Sequence, residues 1–180
     1  MLQIYTGDGK GKTTASLGCV VRAVGAGMKV LFCQFLKGTD TSEIEVLEKI
    51  GVKIIRTDEI KTFFAFMTEI QQKDCKTIHE VCYNNIMAEI KLNNYDLIVF
   101  DEVFPAISLE LLDGECFFCF LKEYKKNHEL ILTGRIETNL KNINNKIIKN
   151  IIEIADYISE INCIKHPYNK GVAARKGIEF

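Results

Sequence analysis

Proline is scarce in this 180-residue sequence, charge of one sign is not in excess, and long apolar runs are missing. The two prolines, Pro105 and Pro167, lie beside predicted element boundaries, and no Pro/Gly linker or internal repeat divides the chain. We therefore expect a single domain over residues 1–180. Because 23 Lys and Arg residues balance 24 Asp and Glu residues, no net basic field attracts nucleic acid or a membrane surface. The 47% content of hydrophobic residues excludes a disordered chain.

Segments that would cross or enter a membrane are also missing from the sequence. Wholly apolar stretches are short, such as Cys116 to Leu121, whereas a membrane helix needs about 18 residues. The first residues lack the basic start, apolar run and cleavage site of a secretory signal. The sequence therefore predicts a soluble, cytoplasmic protein.

The seven cysteines are odd in number and scattered along the chain, which predicts reduced thiols rather than a disulfide framework. Cys116 and Cys119 have CxxC spacing, but no second CxxC completes a zinc site. Because their neighbours are apolar, we expect both cysteines to lie in the core.

Short apolar runs alternate with longer segments of helical character. The predicted strands are Leu2–Tyr5, Val30–Leu36, Val52–Ile55, Leu97–Phe100 and Leu130–Leu132. This alternation predicts an α/β fold with a mainly parallel sheet flanked by helices.

The clearest predicted helix spans Thr68 to Leu92. Its apolar residues recur at i, i+4, which predicts a stripe that packs in the core; they are Ile78, Cys82, Ile86 and Ile90. The Asn-rich stretch 137–149 predicts a loop followed by a helix ending near Ala155.

A phosphate-binding loop follows the first strand, in the segment Thr6–Ala15 (TGDGKGKTTA). Its glycines allow backbone N–H groups to face phosphate oxygens, and a helix predicted from about Lys12 to Gly25 adds its positive dipole end. Lys12 would contact the phosphates, and the Thr13 hydroxyl would bind Mg²⁺. The pattern departs from the usual one because Thr6 occupies the first glycine position.

Two adjacent acids, Asp101 and Glu102, end the apolar strand Leu97–Phe100, as in a Walker B strand. One carboxylate could reach the metal directly or through water while the other orients the ligands. P-loop domains hydrolyse nucleotides, transfer groups or only bind, so these motifs do not select a reaction. The N-K-x-D motif that GTPases use to bind guanine is absent.

Taken together, several motifs strongly resemble the ATP:corrinoid adenosyltransferases of the CobA/BtuR/CobO family. They are Gly7–Ala15 (GDGKGKTTA), Gln34–Gly38 (QFLKG), Phe100–Glu102 (FDE), Leu132–Arg135 (LTGR), His166–Val172 (HPYNKGV) and Lys176–Phe180 (KGIEF). The resemblance implies a RecA-like P-loop domain. It also implies transfer of the 5′-deoxyadenosyl group of ATP to the Co(I) centre of a corrinoid, with release of triphosphate, in adenosylcobalamin synthesis or salvage. The substrate would be cob(I)alamin, cob(I)yrinic acid a,c-diamide or cobinamide.

The resemblance also implies roles for single residues. The expected ATP-binding residues are Thr6, Gly7, Asp8, Gly9, Lys10, Gly11, Lys12, Thr13, Thr14, Lys37 and Arg135, with Mg²⁺ held by Thr13, Glu102 and Asp101. Lys12 is expected to be catalytic. In the family, bulky apolar side chains displace the lower axial ligand of the corrinoid so that cobalt is easier to reduce. This chain has no tryptophan for that task, so the resemblance assigns Phe64 and Phe66 to it.

Three departures from the family pattern carry expectations of their own. Asp8 replaces an asparagine that many members have, and it could alter the loop or cap it. Residues 137–149 carry no transferred role, and the chain begins almost on its first strand, so another loop or subunit would have to close the site.

A flavoprotein reductant and a homodimer are expected partners. Two alternatives remain open here: a P-loop ATPase or kinase of another substrate, and a non-catalytic, nucleotide-gated corrinoid carrier.

Overall fold

A computed structural model describes residues 1–38, 41–57, 60, 62–136 and 143–178. Strands and helices alternate along most of the chain, as predicted. The elements are β1 Leu2–Thr6, α1 Lys12–Gly25, β2 Val30–Gln34, α2 Ser42–Lys49, β3 Lys53–Arg56, a 3₁₀ turn Phe64–Phe66, α3 Glu69–Leu92, β4 Leu97–Asp101, α4 Val103–Ser108, α5 Gly114–Tyr124, β5 Glu129–Thr133, α6 Ile143–Glu153, β6 Tyr157–Glu160 and a second 3₁₀ turn Pro167–Lys170.

The six strands form one parallel sheet in the order β3-β2-β4-β5-β1-β6. Strand β5 pairs with both β1 and β4, so one strand separates the P-loop strand from the strand that ends in Asp101. Because all strands run in one direction, the loops after β1, β2, β4 and β5 meet at a single edge of the sheet. This arrangement confirms the predicted α/β architecture with a parallel sheet flanked by helices, and it brings the predicted site segments together.

Helices cover both faces of the sheet. Buried residues of α3, α4, α5 and α6 form one core cluster with the sheet, and those of α1 and α2 form another. Helix α3 begins with a capping box between Thr68 and Gln71, which satisfies two backbone N–H groups that the helix itself leaves unpaired. Its buried stripe consists of Cys75, His79, Cys82, Ile86 and Ile90, which confirms the predicted core role of Cys82, Ile86 and Ile90, whereas Ile78 is only partly buried and packs against the core cluster.

Several boundaries differ from the prediction. Strand β2 ends at Gln34 rather than Leu36, because Leu36 has a φ of 59° that a strand does not accommodate. Helix α6 ends at Glu153, just before the predicted end, and residues 137–142 of the Asn-rich stretch lie outside the described residues, as do Glu179 and Phe180.

The prediction that Cys116 and Cys119 are buried is wrong, since both are exposed. Helix α5 buries Phe117, Phe120 and Leu121 instead, and the two cysteines lie one position away from that stripe. Among the described residues, no helix combines the length and apolar character needed to cross a membrane.

Candidate nucleotide site

The P-loop leaves β1 at Thr6 and enters α1 at Lys12, as predicted. Gly11, the residue before the helix, has a φ of 122°, a conformation that favours glycine. The Lys12 side chain folds back over the loop, and its Nζ donates to the Gly9 carbonyl at 2.7 Å. Burial lowers the pKa of the Lys12 ammonium, while the nearby Glu102 carboxylate opposes that shift. The ammonium is therefore partly desolvated at the N-terminus of α1, where an anion would be its natural partner.

The backbone that follows β6 packs directly on the P-loop. The Gly9 N–H donates to the Ile161 carbonyl at 2.7 Å, and the Asp8 carboxylate accepts from the Cys163 N–H at 2.9 Å. A Cβ at Gly7 would lie 2.3 Å from the Ile161 carbonyl oxygen, so a side chain does not fit there. Asp8 thus ties the loop to residues 161–163, an arrangement that the sequence analysis did not anticipate.

Asp101 lies at the centre of a buried hydrogen-bond network. Its side chain is fully buried, and each carboxylate oxygen accepts from two protein donors. Oδ1 accepts from the hydroxyls of Thr13 at 2.9 Å and Thr133 at 2.6 Å, and Oδ2 accepts from Gln34 Nε2 at 3.1 Å and Lys37 Nζ at 3.2 Å. A carboxylate offers about four acceptor positions, so these four donors occupy all of them.

Glu102 has different surroundings, although it is the next residue. It is half-buried and has a φ of 58°, a left-handed conformation that costs a non-glycine residue about 1–2 kcal/mol. Its N–H donates to the Thr133 hydroxyl at 3.1 Å, which helps to hold that conformation. Burial raises the pKa of the Glu102 carboxyl, and the Asp101 carboxylate adds to the rise. A strained, partly desolvated acid at the edge of the sheet is typical of a functional site.

The donors present at this edge suit a magnesium ion. Mg²⁺ prefers hard oxygen ligands and usually shares its coordination shell with phosphate and water. Thr13 and Glu102 supply a hydroxyl and a carboxylate. The Thr13 proton points to Asp101 and Lys37 Nζ lies 3.5 Å from the hydroxyl oxygen, which leaves one lone pair for a metal. Over the described ranges, no cluster of three or more His, Cys, Asp and Glu side chains could hold a metal alone. Thr13 and Glu102 therefore fit a Mg²⁺ ion that takes its other ligands from phosphate and water.

The remaining predicted polar residues surround the loop. Lys37 Nζ lies 3.5 Å from the Thr13 hydroxyl, in addition to its contact with Asp101. Arg135 is exposed after β5, and its Nη2 donates to the Asp8 carbonyl at 3.4 Å. Lys10 and Thr14 are exposed on the loop and on the first turn of α1. The fold thus brings the segments predicted to bind ATP to one edge of the sheet.

The aromatic segment Phe63–Phe66 places its rings in two different surroundings. Phe64 is half-buried and packs against the core cluster, whereas Phe66 is 78% exposed. Phe63, which the sequence analysis did not select, is 82% exposed and makes an edge-to-face contact with Phe66 at a centroid distance of 6.5 Å. The two residues predicted to face a corrinoid therefore differ in exposure, and only Phe66 is displayed on the surface.

Sequence reasoning missed Thr133 and Gln34, whose side chains donate to the Asp101 carboxylate, as site residues. Gln34 and Thr133 belong to the motifs QFLKG and LTGR, so their positions at the ends of β2 and β5 were a usable signal.

The sequence of this chain is similar to that of a known protein family. A sequence model described as "ATP:corrinoid adenosyltransferase BtuR/CobO/CobP" matches residues 1–180. The corrinoid adenosyltransferase of Escherichia coli K12 is 32% identical over 98% of this chain and 84% of its own length. The corresponding proteins of Salmonella typhimurium LT2 and a Sinorhizobium species are 31% and 30% identical, over 98% and 100% of this chain and 84% and 80% of their own lengths. Among solved structures, the KaiC-like protein PH0186 of Pyrococcus horikoshii OT3 aligns with 92% of this chain and 73% of its own, with 16% identity and a TM-score of 0.46.

Proposed function

Because this chain belongs to the BtuR/CobO/CobP family of ATP:corrinoid adenosyltransferases, we propose that its P-loop edge binds the two substrates of that reaction side by side. The protein is a transferase that adenosylates a corrinoid with ATP. The observation that carries the assignment to this edge is the cluster of Lys12, Thr13 and Glu102 around the P-loop, in a chain that matches the family model from end to end.

The chemistry requires little from the protein beyond positioning and charge stabilisation. The Co(I) centre is itself the nucleophile: a Co–C5′ bond forms, the C5′–O bond of ATP breaks, and the electron pair leaves with triphosphate. No general base is needed, because no proton is removed from the nucleophile. Lys12 and the P-loop amides are placed to stabilise the negative charge that grows on the leaving group. In this arrangement the loop grips the triphosphate while C5′ faces the corrin ring.

We assign the two adjacent acids separate tasks. Thr13 and Glu102 would hold Mg²⁺, which would neutralise phosphate charge when bound. Asp101 would not bind the metal directly but would orient the Thr13 hydroxyl, because its two oxygens already accept hydrogen bonds from four protein donors, Thr13 among them. This division refines the expectation that all three side chains are ligands.

The function is tested by mixing the protein anaerobically with ATP, Mg²⁺ and chemically reduced cob(I)alamin. We expect the absorption spectrum of adenosylcobalamin to appear together with one equivalent of triphosphate. Parallel reactions with an incomplete corrinoid establish the preferred substrate. Formation of ADP or free phosphate without a cobalt–carbon bond would contradict the proposal.

We further propose that the Phe66 side chain displaces the lower axial ligand of the corrinoid, which makes the cobalt easier to reduce. Phe66→Ala should reduce activity that starts from cob(II)alamin and a reductant about 10-fold, because a ring that becomes buried against the corrinoid would disfavour the return of the lower axial ligand by about 1.5 kcal/mol. Activity that starts from prereduced cob(I)alamin should change much less, since reduction is then complete. Both activities are measured from the rate of adenosylcobalamin formation.

Two neighbouring aromatic residues provide matched controls for Phe66. Phe63→Ala removes a ring that is about as exposed as Phe66. Phe64→Ala removes a ring that packs against the core, so we expect this variant to have a lower melting temperature. Equal losses with cob(II)alamin and cob(I)alamin in the Phe66 variant would exclude it from the reduction step.

Other features of the working enzyme are proposals from family membership. We propose one catalytic domain over residues 1–180, a cytoplasmic location, a homodimer and a flavoprotein reductant. Size-exclusion chromatography with light scattering tests the oligomeric state, and replacing the chemical reductant with a reduced flavoprotein tests the electron source.

A further inference from the structure

His79 is a fully buried polar residue of α3 that has no part in the mechanism described so far. Its imidazole ring stacks on Phe35 at a centroid distance of 6.1 Å. Both ring nitrogens have partners: Nδ1 lies 2.8 Å from the Cys75 carbonyl oxygen, and Nε2 lies 3.3 Å from the Leu36 backbone nitrogen. The second contact joins α3 to the loop that follows β2.

These partners determine the protonation state of His79. The Cys75 carbonyl can only accept, so Nδ1 carries a proton; the Leu36 N–H can only donate, so Nε2 presents its lone pair. The imidazole is therefore neutral, with its proton on Nδ1. Burial lowers the pKa of His79, which is consistent with a neutral ring at pH 7.

The Leu36 N–H that His79 accepts belongs to a strained turn. Leu36 has a φ of 59°, which costs a residue with a side chain about 1–2 kcal/mol relative to ordinary backbone. On its N-terminal side the chain is fixed, because Phe35 is buried and its N–H donates to the Asp101 carbonyl at 3.0 Å. The turn at Leu36 then redirects the chain, and the hydrogen bond that its N–H donates to His79 Nε2 offsets part of the strain.

The residue that follows this turn is Lys37, whose ammonium contacts both Asp101 and Thr13. The Lys37 carbonyl accepts from Arg56 Nη2 at 2.8 Å, so the backbone is held on the far side of the turn as well. If Leu36 relaxed to negative φ, the direction of the chain at Lys37 would change and the ammonium would leave the P-loop.

We propose that His79 is a positioning residue, whose hydrogen bond from Leu36 fixes the left-handed turn that directs Lys37 to the phosphate site. The inference rests on the proposed function in one respect, the assignment of Lys37 to the triphosphate of ATP. His79 would contact neither substrate, and its effect would pass through Lys37.

The test measures ATP affinity by calorimetry in the presence of Mg²⁺ and without a corrinoid. His79→Met introduces an apolar side chain of similar length that lacks the strong acceptor, so we expect the dissociation constant for ATP to rise roughly 5-fold. His79→Gln can place an amide oxygen near the position of Nε2, and it should keep the affinity within about 2-fold of the unmodified protein.

A double-mutant cycle shows whether the effect passes through Lys37. Once Lys37→Ala has removed the ammonium, adding His79→Met should change the dissociation constant by less than about 2-fold. Losses that multiply in the double variant would overturn the proposal, as would a His79→Met protein that melts earlier but binds ATP normally. Because ATP binding is measured without a corrinoid, failure of adenosyl transfer would not affect this result.

Ile86→Val serves as the matched control for packing. Ile86 is fully buried on the same stripe of α3, two turns further from Leu36. The substitution should lower the melting temperature slightly and leave ATP affinity unchanged. A loss of ATP affinity in this variant equal to that of His79→Met would show that general loosening of α3 suffices, and it would overturn the specific role of His79.

Discussion

Replacing Lys12 with methionine should lower kcat/KM for adenosyl transfer roughly 100- to 1,000-fold, the usual cost of removing one group that stabilises charge in a transition state. The Lys12 ammonium lies over the P-loop at the start of α1, where it donates to the neutral Gly9 carbonyl. Negative charge grows on the triphosphate oxygen as the C5′–O bond breaks, so the contact strengthens along the reaction. The loss should therefore appear in kcat as well as in KM.

The same substitution should not destabilise the protein without ligands. The pKa of Lys12 is lowered in the folded state, mainly by burial, so the folded protein holds the ammonium less favourably than the unfolded chain does. Below its ordinary pKa the charge thus opposes folding, and its removal should leave the melting temperature unchanged or higher. A marked fall in melting temperature would mean that the lost activity reflects unfolding.

Comparing Lys10→Met with Lys12→Met shows whether the position of the positive charge matters or only its presence on the loop. Lys10→Met removes the same charge from the same loop, but the Lys10 side chain is exposed. We expect a loss of less than about 10-fold, because solvent screens an exposed contact. Equal losses in the two variants would indicate that the net charge of the loop matters more than the placement of Lys12.

The predictable parts of this structure were those encoded by local patterns. Glycine spacing followed by Lys12 and Thr13 identified the P-loop and the start of α1, and i, i+4 periodicity identified α3. Each signal lies within a few residues of the feature that it predicts. The parallel order of the strands then brings the P-loop, Asp101 and Arg135 to one edge, a consequence that holds for such folds in general.

The unpredicted parts depend on contacts between distant segments. Strand β6 (Tyr157–Glu160) is exposed along its whole length and shows no burial pattern, and it is held by pairing with β1. The backbone at Ile161 lies so close to Gly7 and Gly9 that neither position has room for a side chain, and this fit depends on both segments together. His79 likewise has a backbone partner 43 residues away. Hydrogen bonds to main-chain groups leave no mark in the sequence of the partner, so pattern analysis does not find them.

Glu102 and Asp101, although adjacent, should respond differently to loss of charge. Glu102→Gln should reduce adenosyl transfer roughly 100-fold or more, as expected when a ligand to the charge-neutralising ion is lost. The folded state raises the pKa of Glu102, mainly through burial, so ionisation of this acid opposes folding at pH values above its ordinary pKa. The free Glu102→Gln protein should therefore melt at the same or a higher temperature at pH 7, and this gain should vanish as the pH falls below the ordinary pKa of glutamate.

Asp101→Asn should instead destabilise the protein by about 2–3 kcal/mol, because an amide nitrogen would face donors that now point to a carboxylate oxygen. For a chain of this size that corresponds to a fall in melting temperature of roughly 4–12 °C. Scanning calorimetry with and without ATP and Mg²⁺ separates the two substitutions: ligand should still stabilise the Asp101 variant, whereas the Glu102 variant should lose most of its metal-dependent stabilisation. The reverse pattern, with Glu102→Gln unstable and Asp101→Asn unable to respond to Mg²⁺, would make Asp101 the metal ligand and Glu102 the structural acid.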